Sequence, residues 1–179
     1  IGANAFSGCS RLTSVTLPST VKSIGEWAFG LSGLTSISLP EGLKNIDSYA
    51  FLRCNSLELL YLPESVERIG ERIASNENGN LVLRIPKSID VIEGRQDFGS
   101  FAGYAFEGEG NGVEIVDKMF VNNRKDGSRV LLEVDPKMVE DGVLTIPEGI
   151  TALGVGALSY VEADKIILPE GLTAIGQDA

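Results

Sequence analysis

The 179-residue chain has no histidine, only two cysteines and a single tryptophan. Without histidine there is no Ser-His-Asp or Cys-His nucleophile system, and the imidazole ligands of most zinc sites are missing too. Two cysteines separated as Cys9 and Cys54 are cannot build a structural zinc centre. No apolar run approaches the roughly 20 residues that a membrane-spanning helix needs, and no signal peptide opens the sequence. Basic residues are scarce: 15 Lys and Arg against 25 Asp and Glu give a net charge of −10. A surface this acidic repels nucleic acid and anionic lipid unless a basic patch intervenes, and here the basic residues are scattered. The chain is nevertheless 43% hydrophobic, too apolar to be disordered and long enough to bury a core. No cofactor and no metal is expected from this inventory.

What the sequence does have is a period. Ile1-Gly2-Ala3-Asn4-Ala5-Phe6 recurs as Ile24-Gly25-Glu26-Trp27-Ala28-Phe29 and as Ile46-Asp47-Ser48-Tyr49-Ala50-Phe51, with later copies at Ile69-Gly70, Leu153-Gly154 and Ile175-Gly176. A second block, Leu12-x-x-Val15-x-Leu17-Pro18-x-x-Val21, lies between them. Its prolines fall at 18, 40, 63 and 86, then at 147 and 169, spacings of 22 or 23 within each set. Self-similarity at this period marks a solenoid, because one coil cannot bury its apolar side alone and stacked coils can.

Each copy reads in physical terms. Val15 and Leu17 alternate with Ser14 and Thr16, so a short strand sends the first pair inward and the second outward. Pro18 ends the strand because it has no amide hydrogen to give to a ladder. Pro-Glu-Gly at 40–42, 147–149 and 169–171 is a turn signature. Ala28-Phe29 then drops back into the core. The chain starts and stops within a repeat, so flanking sequence is expected at both ends, and the cut coils are expected to associate end to end.

The pattern Ile-Gly-x-x-Ala-Phe-x-x-Cys-x-x-Leu-x-x-Val-x-Leu-Pro resembles the BspA-like class of leucine-rich repeats. The resemblance implies a β-rich solenoid of right-handed coils, with one parallel sheet and short helical or irregular segments opposite. It implies a non-catalytic module of a bacterial cell-surface or secreted protein, with no catalytic residues to carry over. The implied partner is a protein, such as a host extracellular-matrix or cell-surface protein, and a glycan remains open. A structural spacer and a carbohydrate-binding accessory of a larger enzyme are the alternative readings.

The pattern is regular over 1–92, breaks over 93–140 and resumes over 141–179. Ile73-Ala74 stands where Ala-Phe is expected, so the fourth copy lacks its aromatic plug. Tyr104-Ala105-Phe106 reads as a displaced Ala-Phe block. Residues 113–121 and 129–134 read as two strands of a β-hairpin (113–134), joined through Asp126-Gly127, which interrupts the array. Two degenerate coils over 87–140 are the alternative. Cys9 and Cys54 occupy one repeat position two coils apart, about 10 Å at the strand spacing, which is beyond disulfide reach. Both are expected to be free, buried thiols.

Candidate chemistry is thin. A carboxylate pair could serve a glycosidase, but Glu41, Glu64, Glu148 and Glu170 sit one per coil in turns, as a solvated face does. Gly108 to Gly112 lacks the lysine and following helix of a phosphate loop. Asp126-Gly127 lacks an EF-hand's acidic spacing.

Partners of solenoids bind to columns of outward residues. One column runs through Thr16, Ser38, Tyr61, Arg84, Thr145 and Ile167, and its neighbour through Ser14, Ser36, Leu59, Val82, Val143 and Lys165. Leu59, Tyr61, Val82 and Arg84 form the candidate patch, with Tyr61 and Arg84 placed for a cation–π pair. Segment 93–112 folding over this patch is the competing expectation. Trp27 and Tyr49, equivalent positions in adjacent coils, are a secondary candidate.

Overall fold

The computed structural model describes residues 1–97 and 102–179. The chain is a β-solenoid of about 7 turns. Each regular turn places a short strand in a first ladder and a two-residue strand in a second. The first ladder starts with the Thr16–Ser38 bridge and continues through β3 (Leu59–Tyr61), β5 (Val82–Pro86) and β7 (Gly103–Glu107), all parallel. The second ladder, which the sequence reading did not contain, runs through β1 (Ser23–Ile24), β2 (Asn45–Ile46), β4 (Arg68–Ile69) and β6 (Val91–Ile92). Both ladders resume after the interruption. β11 (Val143–Thr145) pairs with β13 (Lys165–Ile167), and β12 (Ala152–Leu153) pairs with β14 (Ala174–Ile175).

The prolines make the corner between the ladders. The carbonyls of Pro18, Pro40, Pro63, Pro86 and Pro169 each accept the amide hydrogen three residues on, at 3.0–3.2 Å. Where the third turn residue is Gly42 or Gly149, φ is +101° or +86°, a conformation glycine adopts without strain. The opposite corner takes a left-handed residue in six of the coils: Asn4, Trp27, Tyr49, Arg72, Gly156 and Asp178 all have φ between 44° and 66°. That twist aims the amide along the solenoid axis. Asn4, Trp27, Tyr49 and Arg72 donate to Glu26, Ser48, Glu71 and Arg95 of the following coil at 2.8–3.3 Å.

The core follows the repeat. Phe6, Phe29 and Phe51 stack with ring centroids 5.2 and 5.3 Å apart and planes within 8° of parallel. Ala74 comes next in that column, bridged to Phe51, and the aromatic stack ends there as expected. Cys9 and Cys54 are both free, but only Cys54 is buried. Cys9 is exposed because it lies in the outermost described coil, with a neighbour on one flank only.

Three features of the irregular region differ from the sequence reading. Tyr104-Ala105-Phe106 is no displaced Ala-Phe block: it is the middle of β7, aligned with Leu83, Arg84 and Ile85. The strand expected over 113–121 is two strands, β8 (Val113–Val116) and β9 (Met119–Asn123), which turn at Asp117 and Lys118 with φ of 46° and 65°. With β10 (Arg129–Val134) they form a three-stranded antiparallel meander.

This meander is part of the solenoid. β10 pairs in parallel with β12 and so becomes a rung of the second ladder. Phe120, Val130 and Leu132 enter the core of the first coils, whereas Met119, Val121 and Leu131 enter the core of the last ones. β9 and β10 are thus a partition buried on both faces, which explains their nearly continuous apolar sequences.

Candidate functional site

The outward columns run in the expected register. Leu59 stands opposite Val82 and Tyr61 opposite Arg84, with Gly103 and Ala105 beyond them. Val143 faces Lys165 and Thr145 faces Ile167. Inward alternation buries Leu60, Leu62, Leu83 and Ile85, and this leaves their neighbours on the surface. Leu59 is 52% and Tyr61 47% exposed, while Val82 and Arg84 are half-buried.

The anticipated cation–π pair is absent. Arg84 sends Nη1 to Glu107 Oε1 at 3.1 Å, since β7 brings that carboxylate alongside β5. Nor do the described residues of segment 93–112 cover the patch. Residues 103–107 extend the ladder in its own plane, and Leu59 and Tyr61 remain half exposed. Residues 98–101 of that segment lie outside the described residues.

Trp27 and Tyr49 meet as the repeat requires, with centroids 5.5 Å apart and planes 36° apart. The Tyr49 hydroxyl donates to Glu71 Oε2 at 2.9 Å. Burial first, and that hydrogen bond second, push the phenol above its ordinary value, so it stays neutral. Trp27 also borders a cleft of about 360 Å³ that holds Arg53, Arg72 and Asp97, but Arg72 Nε is already paired with Asp97 Oδ2 at 2.5 Å. The two rings mainly shield the corner.

Four further ionisable groups are shifted by their neighbours or by burial. Burial raises the Cys54 thiol, which sits against the Phe29 carbonyl at 3.2 Å and Ser32 Oγ at 3.5 Å, so it remains a protonated, poor nucleophile. Lys44 lowers the Glu67 carboxyl, and Arg129 lowers that of Glu114. Asp126 is lowered by Ser128, which donates both its hydroxyl and its amide within the turn. Among the described residues no three His, Cys, Asp or Glu side chains converge as metal ligands, and no helix is long and apolar enough to cross a membrane.

Sequence reasoning missed the polar groups that join the two parts of the array. Asn122 is fully buried, and its carboxamide replaces a strand. Oδ1 accepts from Ile92 N at 3.1 Å and Nδ2 donates to the Asp90 carbonyl at 3.0 Å, the two groups β6 presents to its vacant side. Nδ2 also reaches the Gly112 carbonyl at 2.8 Å. Gln96, 1% exposed, does the same for Ile73 N and the Gly70 carbonyl. Arg95 crosses the junction to Glu133 Oε1 (3.4 Å) and the Ser159 carbonyl (2.8 Å), with Tyr160 over its guanidinium at 5.3 Å. An asparagine inside the apolar run Phe120-Val121-Asn122 was the one available signal.

Comparison with known proteins agrees with this architecture. A family model described as a BspA type leucine rich repeat region matches in six copies over residues 1–108. No curated protein matches. A leucine-rich repeat protein of Eubacterium ventriosum superposes with a TM-score of 0.68 at 24% identity, covering 98% of this chain and 47% of that one. The leucine rich repeat protein of T. pallidum gives a TM-score of 0.53 at 25% identity, covering 98% of this chain and 65% of that one. A leucine rich cell surface protein of Faecalibacterium prausnitzii gives 0.50 at 19% identity, covering 98% and 60%. The chain therefore spans about half to two thirds of the length of these solved structures.

Proposed function

Since the chain belongs to the BspA-type leucine-rich-repeat family, we propose that it is a non-catalytic protein-binding module of a bacterial surface or secreted protein, working in adhesion through the face of its first ladder. One observation carries this reading: Leu59 and Tyr61 lie half exposed, side by side and in register with Val82 and Arg84. Contiguous exposed aliphatic and aromatic surface is costly to leave in water and marks a contact site. The earlier coils present only Ser14, Thr16, Ser36 and Ser38 at these positions, so the patch begins in the middle of the array. The similar Faecalibacterium protein is a cell surface protein, which supports the location.

Surface plasmon resonance of the chain against extracellular-matrix proteins and host glycans tests the proposal. The variant is Tyr61→Ala/Arg84→Ala, with melting temperature matched to the parent. Saturable binding that the double variant weakens at least about tenfold, the loss of one anchoring side chain, is the expected result. Binding that survives the variant moves the site away from this face, with Trp27 and Tyr49 next. Silence across the panel favours a spacer.

A further inference from the structure

The meander leaves one strand edge open. β8 is the terminal strand of its sheet. Asn123 N donates to the Gly112 carbonyl at 2.8 Å, and antiparallel alternation therefore turns Gly112, Glu114 and Val116 toward β9. The amides and carbonyls of Val113 and Ile115 point the other way. Among the described residues none of these four groups has a hydrogen-bond partner. The edge is also apolar: Ile115 is 49% exposed, while the Val113 side chain packs into the core and the residue is 5% exposed.

The space beside this edge is bounded. A trough of about 530 Å³ separates β8 from β7, lined by Val113 and Ile115 on one side and by Ala105 and Phe106 on the other. β7 is the last strand of the ladder β3-β5-β7, and the first ladder starts again only at β11. The trough thus occupies the place where the next rung of that ladder would lie. Its floor is held: Arg129 Nη2 fixes Glu114 at 2.5 Å, and Gly112 N donates to the Lys87 carbonyl at 2.9 Å.

We propose that the β8 edge binds an extended peptide strand from a partner protein, which adds to the sheet and fills the missing rung. The occupant follows from the chemistry of the wall. Two N–H and two C=O groups spaced two residues apart, roughly 6.8 Å along a strand, are complementary to another β-strand. Alternate apolar side chains of that strand would pack on Ile115 and Phe106. A glycan offers no row of alternating amides, and a helix has already satisfied its own. This site is separate from the Leu59–Tyr61 face, so failure of either reading leaves the other standing.

The probe is a capped Lys-Thr-Val-Thr-Val-Thr-Lys peptide added to the whole chain, with amide hydrogen exchange read residue by residue. Exchange at Val113 and Ile115 is expected to slow about tenfold or more when their amides become bonded. The same peptide N-methylated at its three central residues keeps its side chains but loses its donors, and it is expected to bind at least about tenfold more weakly. Ile115→Pro deletes an amide that faces away from β9, a place where an edge strand tolerates proline, and it should abolish binding. Ile115→Ala should retain most of it. Unchanged exchange at Val113 and Ile115 in millimolar peptide overturns the proposal, and so does equal binding of the N-methylated peptide to the unaltered chain. Slowing that depends on the concentration of the chain without peptide overturns it in favour of a second copy on this edge.

Discussion

Replacing Asn122 by alanine tests whether a side-chain amide really stands in for a missing strand. The substitution leaves the buried Ile92 N–H and the part-buried Asp90 carbonyl without their partner, and the part-buried Arg124 Nε loses Oδ1 as well, whereas the Gly112 carbonyl keeps Asn123 N. Two orphaned groups at about 1–3 kcal/mol each give a loss of about 4 kcal/mol. That is a large share of the roughly 5–15 kcal/mol that holds a domain folded. Urea denaturation followed by far-ultraviolet circular dichroism would show it, as a midpoint lower by about 1.5 M if the slope is near 2.5 kcal/mol/M. Trp27 is the only tryptophan and belongs to the first part of the array, so its fluorescence reports that part alone. In the parent the two probes should coincide. In the variant they should separate, because stacked repeats stay cooperative only through their neighbour interfaces. A loss below about 1 kcal/mol, the size of an ordinary solvated hydrogen bond, with coincident probes, would falsify the strand-replacement argument.

Phe29→Ala, which empties a fully buried ring position between two others, should cost about 3–5 kcal/mol by calorimetry or denaturation. Phe6→Ala should cost markedly less, as that ring is only half-buried. Leu31 is exposed and has φ of +59°, as Gly8 does at the equivalent place with +71°. Leu31→Gly is therefore expected to be neutral or to stabilise by up to about 1 kcal/mol, and Leu31→Val to destabilise. A rise in melting temperature for valine would refute this. Arg95→Met removes the ion pairs to Glu133 and Asp97 and the bond to the Ser159 carbonyl and should lower stability by about 3 kcal/mol, while Glu133→Gln added to it should recover part of the loss. Arg129 holds the Glu114 carboxyl below its usual value of 4.5. A depressed folded value contributes stability above the unfolded pKa and loses it as pH falls through the folded one. Glu114→Gln should therefore flatten the stability curve only below about pH 4.5, and by less than about 1 kcal/mol because the pair is partly exposed.

The regular coils were legible because the repeat carries its own register. Prolines 22 or 23 residues apart align Leu59 with Val82 and Tyr61 with Arg84 without any knowledge of the turns between them. The irregular region was harder for two physical reasons. Tyr104-Ala105-Phe106 has the composition of the corner block, and only pairing with β5 shows it to be a strand. β9 and β10 carry apolar residues on both faces, so no wet side marked their place between two cores. The left-handed corner was hidden as well. Asn4 suits it, but Trp27, Tyr49 and Arg72 do not advertise it, and axial hydrogen bonding imposes the conformation on them. Arg84 misled for a different reason, since its partner Glu107 lies on a strand the repeat pattern did not contain.

The partition formed by β9 and β10 also bears on how such an array answers a pull along its length. Coils that touch only their neighbours peel away one at a time, each at the small force needed to unzip two or three rungs. An antiparallel pair wedged between two cores cannot be unzipped from one end without opening both cores at once. Tension applied to the ends should therefore unravel the outer coils first and then stall, leaving residues near 119–134 as the last knot to open. Stretched between anchoring points, the chain would lengthen in small steps while keeping its middle intact longest.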